Sequence, residues 1–183
     1  MRTLLTPIPA GLRGTRRTIR EMHALVRLGV EDPRVAHLAS QVLNGSVARR
    51  DYRGEAQALL SYVQHNIRYT RDPWTAGGLE RVQHPLVTLA RGGADCDCGS
   101  VLLASLASSV GFPYAFRTVG TDRRRPDDFA HVYVMLHVPD RGWTAADPSF
   151  EQPLGWEPAV NGTLALPDGT SVAAAEVVRD WLP

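Results

Sequence analysis

The sequence predicts an α+β fold, and three observations carry that reading. Amphipathic helical patterns fill the first part of the chain, a further helix opens on a cysteine, and β-like stretches joined by a tight turn follow it. With 183 residues the chain suits one domain with a sizeable core, or one domain with a helical extension. A hydrophobic content of 44% beside 21% charged residues is that of a folded globular chain and excludes wholesale disorder.

The first helix is predicted from about Thr15 to Leu28, with Ile19, Met22, Leu25 and Val26 near one face. Thr18 and Glu21 have capping-box spacing, and Gly29 supplies a stop. Asp32-Pro33 then reads as N-cap and first helical residue of a second helix, with Val35, Leu38, Ala39 and Val42 facing inward until Asn44-Gly45. A third runs from about Gly54 to Ile67, its inner stripe being Ala56, Leu59, Leu60, Val63 and Ile67. Residues Arg71 to Gly93 are rich in Pro and Gly and read as a loop. After Asp95-Cys96-Asp97-Cys98-Gly99, the residues Val101, Leu102, Ala104, Leu106 and Val110 mark a buried helix ended by Gly111. Strands are predicted at Tyr114 to Val119, Ala130 to Val138 and Trp143 to Ala146, the last two joined as a hairpin by Pro139-Asp140-Arg141-Gly142. The tail from Glu151 carries a second turn, Pro167-Asp168-Gly169, and ends in a short apolar helix or strand. The expected organisation is a basic helical extension over residues 1–50, a core over 51–150, and a tail over 151–183 that completes the domain.

Charge narrows the partners. The formal net charge is +1, so no broad basic surface is expected and nucleic acid is not a predicted partner. All 20 basic residues are Arg, which fits a biased source genome better than a chemical role. Nine of them lie in the first fifty residues against Glu21, Glu31 and Asp32, which predicts a solvated helix face, with a docking arm for an acidic partner as the alternative. No apolar run approaches the ~20 residues a bilayer requires. Met1 to Ala10 makes a poor secretion signal, so a cytoplasmic location is expected.

The two cysteines, Cys96 and Cys98, are too close to form a disulfide framework. Cys96 stands where a helix begins, and the free N–H groups and dipole there lower a thiol below its usual pKa of about 8.5. Asp95 and Asp97 push the other way, so a reactive Cys96 requires those carboxylates to be engaged as caps or in ion pairs. His131 opens a strand 35 residues later, and Asp147 ends the partner strand 16 residues beyond it. Pairing residue i with about 281 − i sets position 150 opposite His131, so a bulge or twist is needed to bring Asp147 to the ring. Nucleophile, base and orienting carboxylate are what thiol acyl transfer needs. The backbone N–H of Cys96 and the side chain of Gln83 are candidate oxyanion donors.

Taken together, Gly93-Ala94-Asp95-Cys96-Asp97 with its apolar helix, Ala130-His131-Val132-Tyr133-Val134, and Trp143-Thr144-Ala145-Ala146-Asp147-Pro148 resemble the transglutaminase-like superfamily. Its core lies within the wider papain-like cysteine peptidase architecture. The resemblance covers about residues 55 to 150 and implies Cys96 as nucleophile, His131 as general base and Asp147 as the residue that orients the imidazole. It implies a peptide or protein amide as substrate, cleaved or transferred, and no metal or organic cofactor. Hydrolysis is expected over cross-linking, because an amine acceptor needs a site of its own. The sequence departs from the family pattern after Asp97, where a usually acidic position is Cys98. Residues two apart on a helix point about 200° from each other, so Cys98 is expected toward the core or a flank. By analogy, short stand-alone members of this kind are often encoded by tailed bacteriophages and prophages. Their similar Arg-rich N-terminal helices imply other phage structural proteins as partners and a virion as a further location.

Other readings remain open at this level. Cys96 and Cys98 with two of His84, His131 and His137 could form a zinc site, although the cysteine spacing is short for one. Cell-wall peptidases with a Cys-His pair also open a helix with Asp-Cys, yet usually follow it with Ser-Gly and use a second His or polar group; the Asp147-Pro148 after a Trp-bearing strand favours the transglutaminase-like side. A non-enzymatic part of a phage particle could use the same scaffold. Trp74, Phe129 and Trp143 are candidates to wall an acyl groove, and Arg123-Arg124-Arg125 to grip a carboxylate.

Overall fold

The computed structural model describes residues 3–7, 11–44, 47–48, 50–71, 79–120, 124–125, 127, 129–157, 163–165, 171–173 and 177–183. Trp74, Arg123 and the turn at Pro167-Asp168-Gly169 lie outside the described residues. The fold is α+β, as the patterning predicts. Helices α1 (Leu12–Val30), α2 (Pro33–Leu43) and α3 (Tyr52–Asn66) precede α5 (Cys96–Ser109), which packs on a four-stranded antiparallel sheet. That sheet has the order β10 (Val177–Trp181), β5 (Tyr114–Gly120), β6 (Phe129–Val138), β7 (Gly142–Ala146). The tail whose type the sequence leaves open is thus an edge strand, paired along β5 from Val177↔Gly120 to Trp181↔Phe116.

Helix α5 is buried over most of its circumference, from Cys98 through Ala107. One cluster joins its Val101, Leu102, Leu103 and Leu106 to Met22, Leu25 and Val26 of α1, Val35 and Ala39 of α2, Leu59, Leu60 and Val63 of α3, and Val132, Val134 and Leu136 of β6. The N-terminal helices therefore build the same core as the segment that carries Cys96. A smaller cluster, Ala115, Val119, Tyr133, Met135 and Ala145, lies on the other face of the sheet.

Helix α1 corrects two expectations. It begins at Leu12, which leaves Thr18 buried in mid-helix rather than at a cap, and Glu21 pairs with Arg17 one turn back at 3.2 Å. It also runs through Gly29 to Val30. Gly29 is buried against α5, where a Cβ would stand 2.6 Å from Ser105 Oγ and 2.7 Å from Pro85 Cγ. That glycine serves close helix packing rather than termination. Helix α2 opens as expected, with the Asp32 carboxylate accepting from Arg34 N–H at 3.0 Å and Pro33 at its first position.

The segment read as a loop contains further structure. Strand β3 (Leu79–Gln83) pairs antiparallel with β1 (Thr3–Pro7), and helix α4 (Pro85–Arg91) follows it. The start of α4 is capped by His84 and Pro85, and its end by Gly92 at φ 62°. Seven residues are too few to show a helical period, and β1–β3 pairing joins segments far apart in sequence. A parallel pair, β2 (Arg68–Tyr69) with β4 (Gly93–Ala94), leads directly into Asp95 and α5. Strands β8 (Thr163–Ala165) and β9 (Ser171–Ala173) form an antiparallel pair of their own. Among the described residues, no helix is long and apolar enough to cross a membrane.

Candidate active site

Cys96 is the first residue of α5, and Asp95 is its N-cap, its carboxylate accepting from Cys98 N–H at 3.0 Å. One of the two flanking carboxylates is thus engaged as a cap. The other stays beside the sulfur: Cys96 Sγ–H points to Asp97 Oδ1 at 3.6 Å, a long thiol–carboxylate contact. Cys96 is half-buried, whereas Cys98 is buried and its thiol donates to the Arg81 carbonyl at 3.3 Å. Burial first, then the charges of Asp95 and Asp97, push the Cys98 thiol well above its ordinary pKa.

Four residues, 110–113, turn the chain from α5 back into β5, so the two run in opposite directions. Since β5 and β7 are antiparallel to β6, the start of α5, the start of β6 and the ends of β5 and β7 lie at one end of the sheet. One hydrogen bond and one close approach place the first turns of α5 there. Ser100 Oγ donates to the Val132 carbonyl at 3.3 Å, and a Cβ on Gly99 would stand 3.5 Å from Pro148 Cγ. Gly99 and Ser100 follow Cys96 by one helical turn and share its face, while Val132 and Pro148 are the chain neighbours of His131 and Asp147.

His131 and Asp147 meet directly. His131 Nε2 lies 2.7 Å from Asp147 Oδ2, and both side chains are almost wholly buried. The observed β6–β7 register pairs residues whose numbers sum to 280, from Val138↔Gly142 to Val134↔Ala146. The expected sum of 281 would have put Asp147 level with Val134, on the face opposite His131. The actual register, continued one residue, sets Asp147 level with Tyr133, on the face of His131 and diagonal to it. No bulge is required in this hairpin; the one irregularity in β6 pairing lies between Val119 and Gly120 of β5. The second Asp147 oxygen accepts from Ser149 N–H at 2.9 Å, and the His131 ring packs edge-on against Phe150 with centroids 5.6 Å apart. Nδ1 is the ring nitrogen that Asp147 leaves to another partner.

Gln83 is fully buried at the end of β3, and among the described residues neither Nε2 nor Oε1 of its carboxamide has a hydrogen-bond partner. Its strand neighbour Arg81 receives the Cys98 thiol, so β3 runs beside the first turn of α5. A buried amide with both ends unpaired is costly in a folded chain, and it lies close to the helix start.

The residues of the alternative zinc site do not converge. His84 caps α4 by accepting from Leu86 N–H, His131 is held by Asp147, exposed His137 packs against Trp143, and Cys98 faces a carbonyl. Among the described residues no group of three or more His, Cys, Asp or Glu could hold a metal ion. Trp143 is the second residue of β7, at the opposite end of the hairpin from Asp147, and is 45% exposed, so it does not wall this site. Phe129 packs edge-on to Trp181 of the C-terminal strand, with the Arg179 guanidinium 5.5 Å from its ring centre. Arg124 and Arg125 are exposed.

Two residues with no signal in the apolar pattern tie the segment after β7 to α3. Gln64 Nε2 lies within hydrogen-bond distance of the carbonyls of Asp147, Phe150 and Gln152, and Gln57 Oε1 accepts from Leu154 N–H at 2.8 Å. Their seven-residue spacing on α3 was the available clue, since it sets both on one face beside the apolar stripe.

Comparison with known proteins bears on the family of the chain. A structure of a candidate protease from Parabacteroides distasonis superposes with a TM-score of 0.57 at 13% identity, over 86% of this chain and 30% of that one. A candidate cysteine protease from Cytophaga hutchinsonii gives a TM-score of 0.49 at 14% identity, over 82% of this chain and 47% of that one. LapG of Legionella pneumophila gives 0.46 at 15% identity, over 94% of this chain and 90% of that one. The chain therefore spans less than half the length of the first two proteins. No curated protein sequence matches it. Residues 37–148 match the transglutaminase-like superfamily, with Cys96 and His131 inside the matched span and Asp147 one residue from its end. The chain belongs to the transglutaminase-like superfamily.

Proposed function

We propose that this chain is a thiol-dependent enzyme that opens amide or peptide bonds, with Cys96 as nucleophile, His131 as general base and Asp147 as the group that orients the imidazole. The observation that carries the reading is the 2.7 Å contact between His131 Nε2 and Asp147 Oδ2, at the end of the sheet where α5 begins with Cys96. A buried carboxylate on Nε2 holds the ring in one orientation and stabilises the imidazolium, and Nδ1 is left to take the thiol proton. Cys96 Sγ then attacks the carbonyl carbon, and the carbonyl oxygen becomes an oxyanion. The Cys96 N–H at the helix start and the unpaired Gln83 Nε2 are the donors proposed to receive it. Collapse of the intermediate returns the proton from His131 to the leaving amine and leaves a thioester on Cys96. Water, deprotonated by His131, adds to the thioester carbonyl and releases the acid and the thiol.

Hydrolysis is the proposed outcome, because transfer requires a second site for an amine. The test is the pH dependence of iodoacetamide labelling, read by peptide mass spectrometry at Cys96 and Cys98 separately. The expected result is that Cys96 labels with an apparent pKa well below the usual value of about 8.5 and that His131→Ala abolishes the shift. Ordinary thiol behaviour at Cys96 in the unaltered protein would overturn the proposal.

A further inference from the structure

We infer that Gln64 is a positioning residue for Asp147, acting through the backbone of the segment that carries it; this rests on the function proposed above. Gln64 lies on α3, 83 residues before Asp147, and its Nε2 reaches three carbonyl oxygens of one turn: Asp147 at 3.1 Å, Phe150 at 2.5 Å and Gln152 at 2.9 Å. An amide nitrogen has two hydrogens for these three acceptors, so the carbonyls must converge on it. The turn is wound around that nitrogen. Beyond it, Leu154 N–H donates to Gln57, two helical turns earlier on the same face of α3. Residues 147–154 are thus fastened to α3 at two points, of which Gln64 is the one at Asp147.

That fastening decides where the Asp147 carboxylate stands. Strand β7 ends at Ala146, so Asp147 has no ladder of its own to hold it. Its position depends on Ser149 N–H at Oδ1, on His131 at Oδ2, and on Gln64 at its carbonyl. The first belongs to the same turn, and the second is the contact to be explained. Gln64 is the tie to a separate and rigid element. Without its N–H groups the three carbonyls lose the donor they share, Phe150 keeping only the Gln152 N–H at 2.7 Å within the turn itself, and the turn is free to rotate Asp147 off the diagonal to His131.

The experiment compares the pH profile of Cys96 alkylation in the full chain, in Gln64→Met, in Asp147→Asn and in the double variant, with Gln57→Met as control. Methionine keeps the length and apolar stem of Gln64 but has no N–H. The expected result is that Gln64→Met slows labelling at neutral pH by about three- to tenfold and moves the profile toward that of Asp147→Asn. It should add nothing in the Asp147→Asn background. Gln57→Met should lower thermal stability without moving the profile. A Gln64→Met protein that loses stability but keeps the parent profile, while Asp147→Asn shifts it, would overturn the inference and leave the proposed function standing. An ordinary thiol profile in the parent chain, unmoved by Asp147→Asn, would overturn both.

Discussion

His131 and Asp147 are hydrogen-bonded at 2.7 Å although the strand register sets Tyr133, not His131, level with Asp147. The contact is diagonal across the hairpin, a separation that only long or ring side chains bridge. It also continues past the last ladder pair, Val134↔Ala146, where the backbone no longer enforces alignment. Asp147→Asn keeps the size and the diagonal but removes the charge that would stabilise an imidazolium. The expected outcome is a loss of turnover of a hundredfold or more with a thermal midpoint close to that of the parent, checked by activity and melting on the same samples.

Asp97 sets a carboxylate oxygen 3.6 Å from the Cys96 sulfur. Asp97→Asn should therefore shift Cys96 labelling to lower pH, since removing a like charge favours the thiolate. Cys98 should stay unlabelled in both proteins under native conditions, because it is buried and its thiol is pushed up. Peptide mass spectrometry after brief alkylation distinguishes the two thiols, and rapid native labelling of Cys98 would contradict the packing.

His23 makes stability depend on pH. Its ring is buried among Tyr114 and Phe116, with Nδ1 2.9 Å from the Tyr114 hydroxyl and Nε2 without a partner among the described residues. Burial first, then the nearby Arg27 guanidinium, hold the imidazole down at about 4 against an ordinary 6.5. The folded state thus binds its proton less readily than the unfolded chain. The contribution is complete above about 6.5 and is lost as the pH falls toward about 4. Allowing for partial solvent screening, the loss should be about 1–2 kcal/mol. Denaturant midpoints at pH 7 and 4.5 measure it, and His23→Gln should flatten that interval.

Gly29 is where α1 meets α5 and Pro85. Gly29→Ala would place a methyl 2.6 Å from Ser105 Oγ and 2.9 Å from Ser105 Cβ. The latter atom is fixed to the buried helix, so the helices must separate. A destabilisation of about 1–3 kcal/mol is expected despite the better helix propensity of alanine. Urea denaturation of the two proteins checks this, and a neutral or stabilising result would show that α1 can shift freely.

The sequence alone determined what neighbouring residues settle among themselves. Asp32-Pro33 and Asp95 are caps because their carboxylates reach N–H groups two or three residues on. The inner stripes of α2 and α3 follow from the helical period, and residues 139–141 turn β6 into β7. Cys96 at a helix start, with Cys98 turned away from it, is legible on the same local terms. The tertiary structure decided whatever depends on partners distant in the chain. The hairpin register stands apart, since the turn's own length fixes the sum at 280 rather than 281 and moves Asp147 to the face of His131; the rest was left to the tertiary structure. It paired β10 with β5 across 57 or more residues, recruited α1 into the core through Gly29, and laid Gln64 beside a turn 83 residues away. A chain's local preferences cannot encode these alone, because each is chosen by which distant surface buries the most apolar area and leaves the fewest polar groups unpaired.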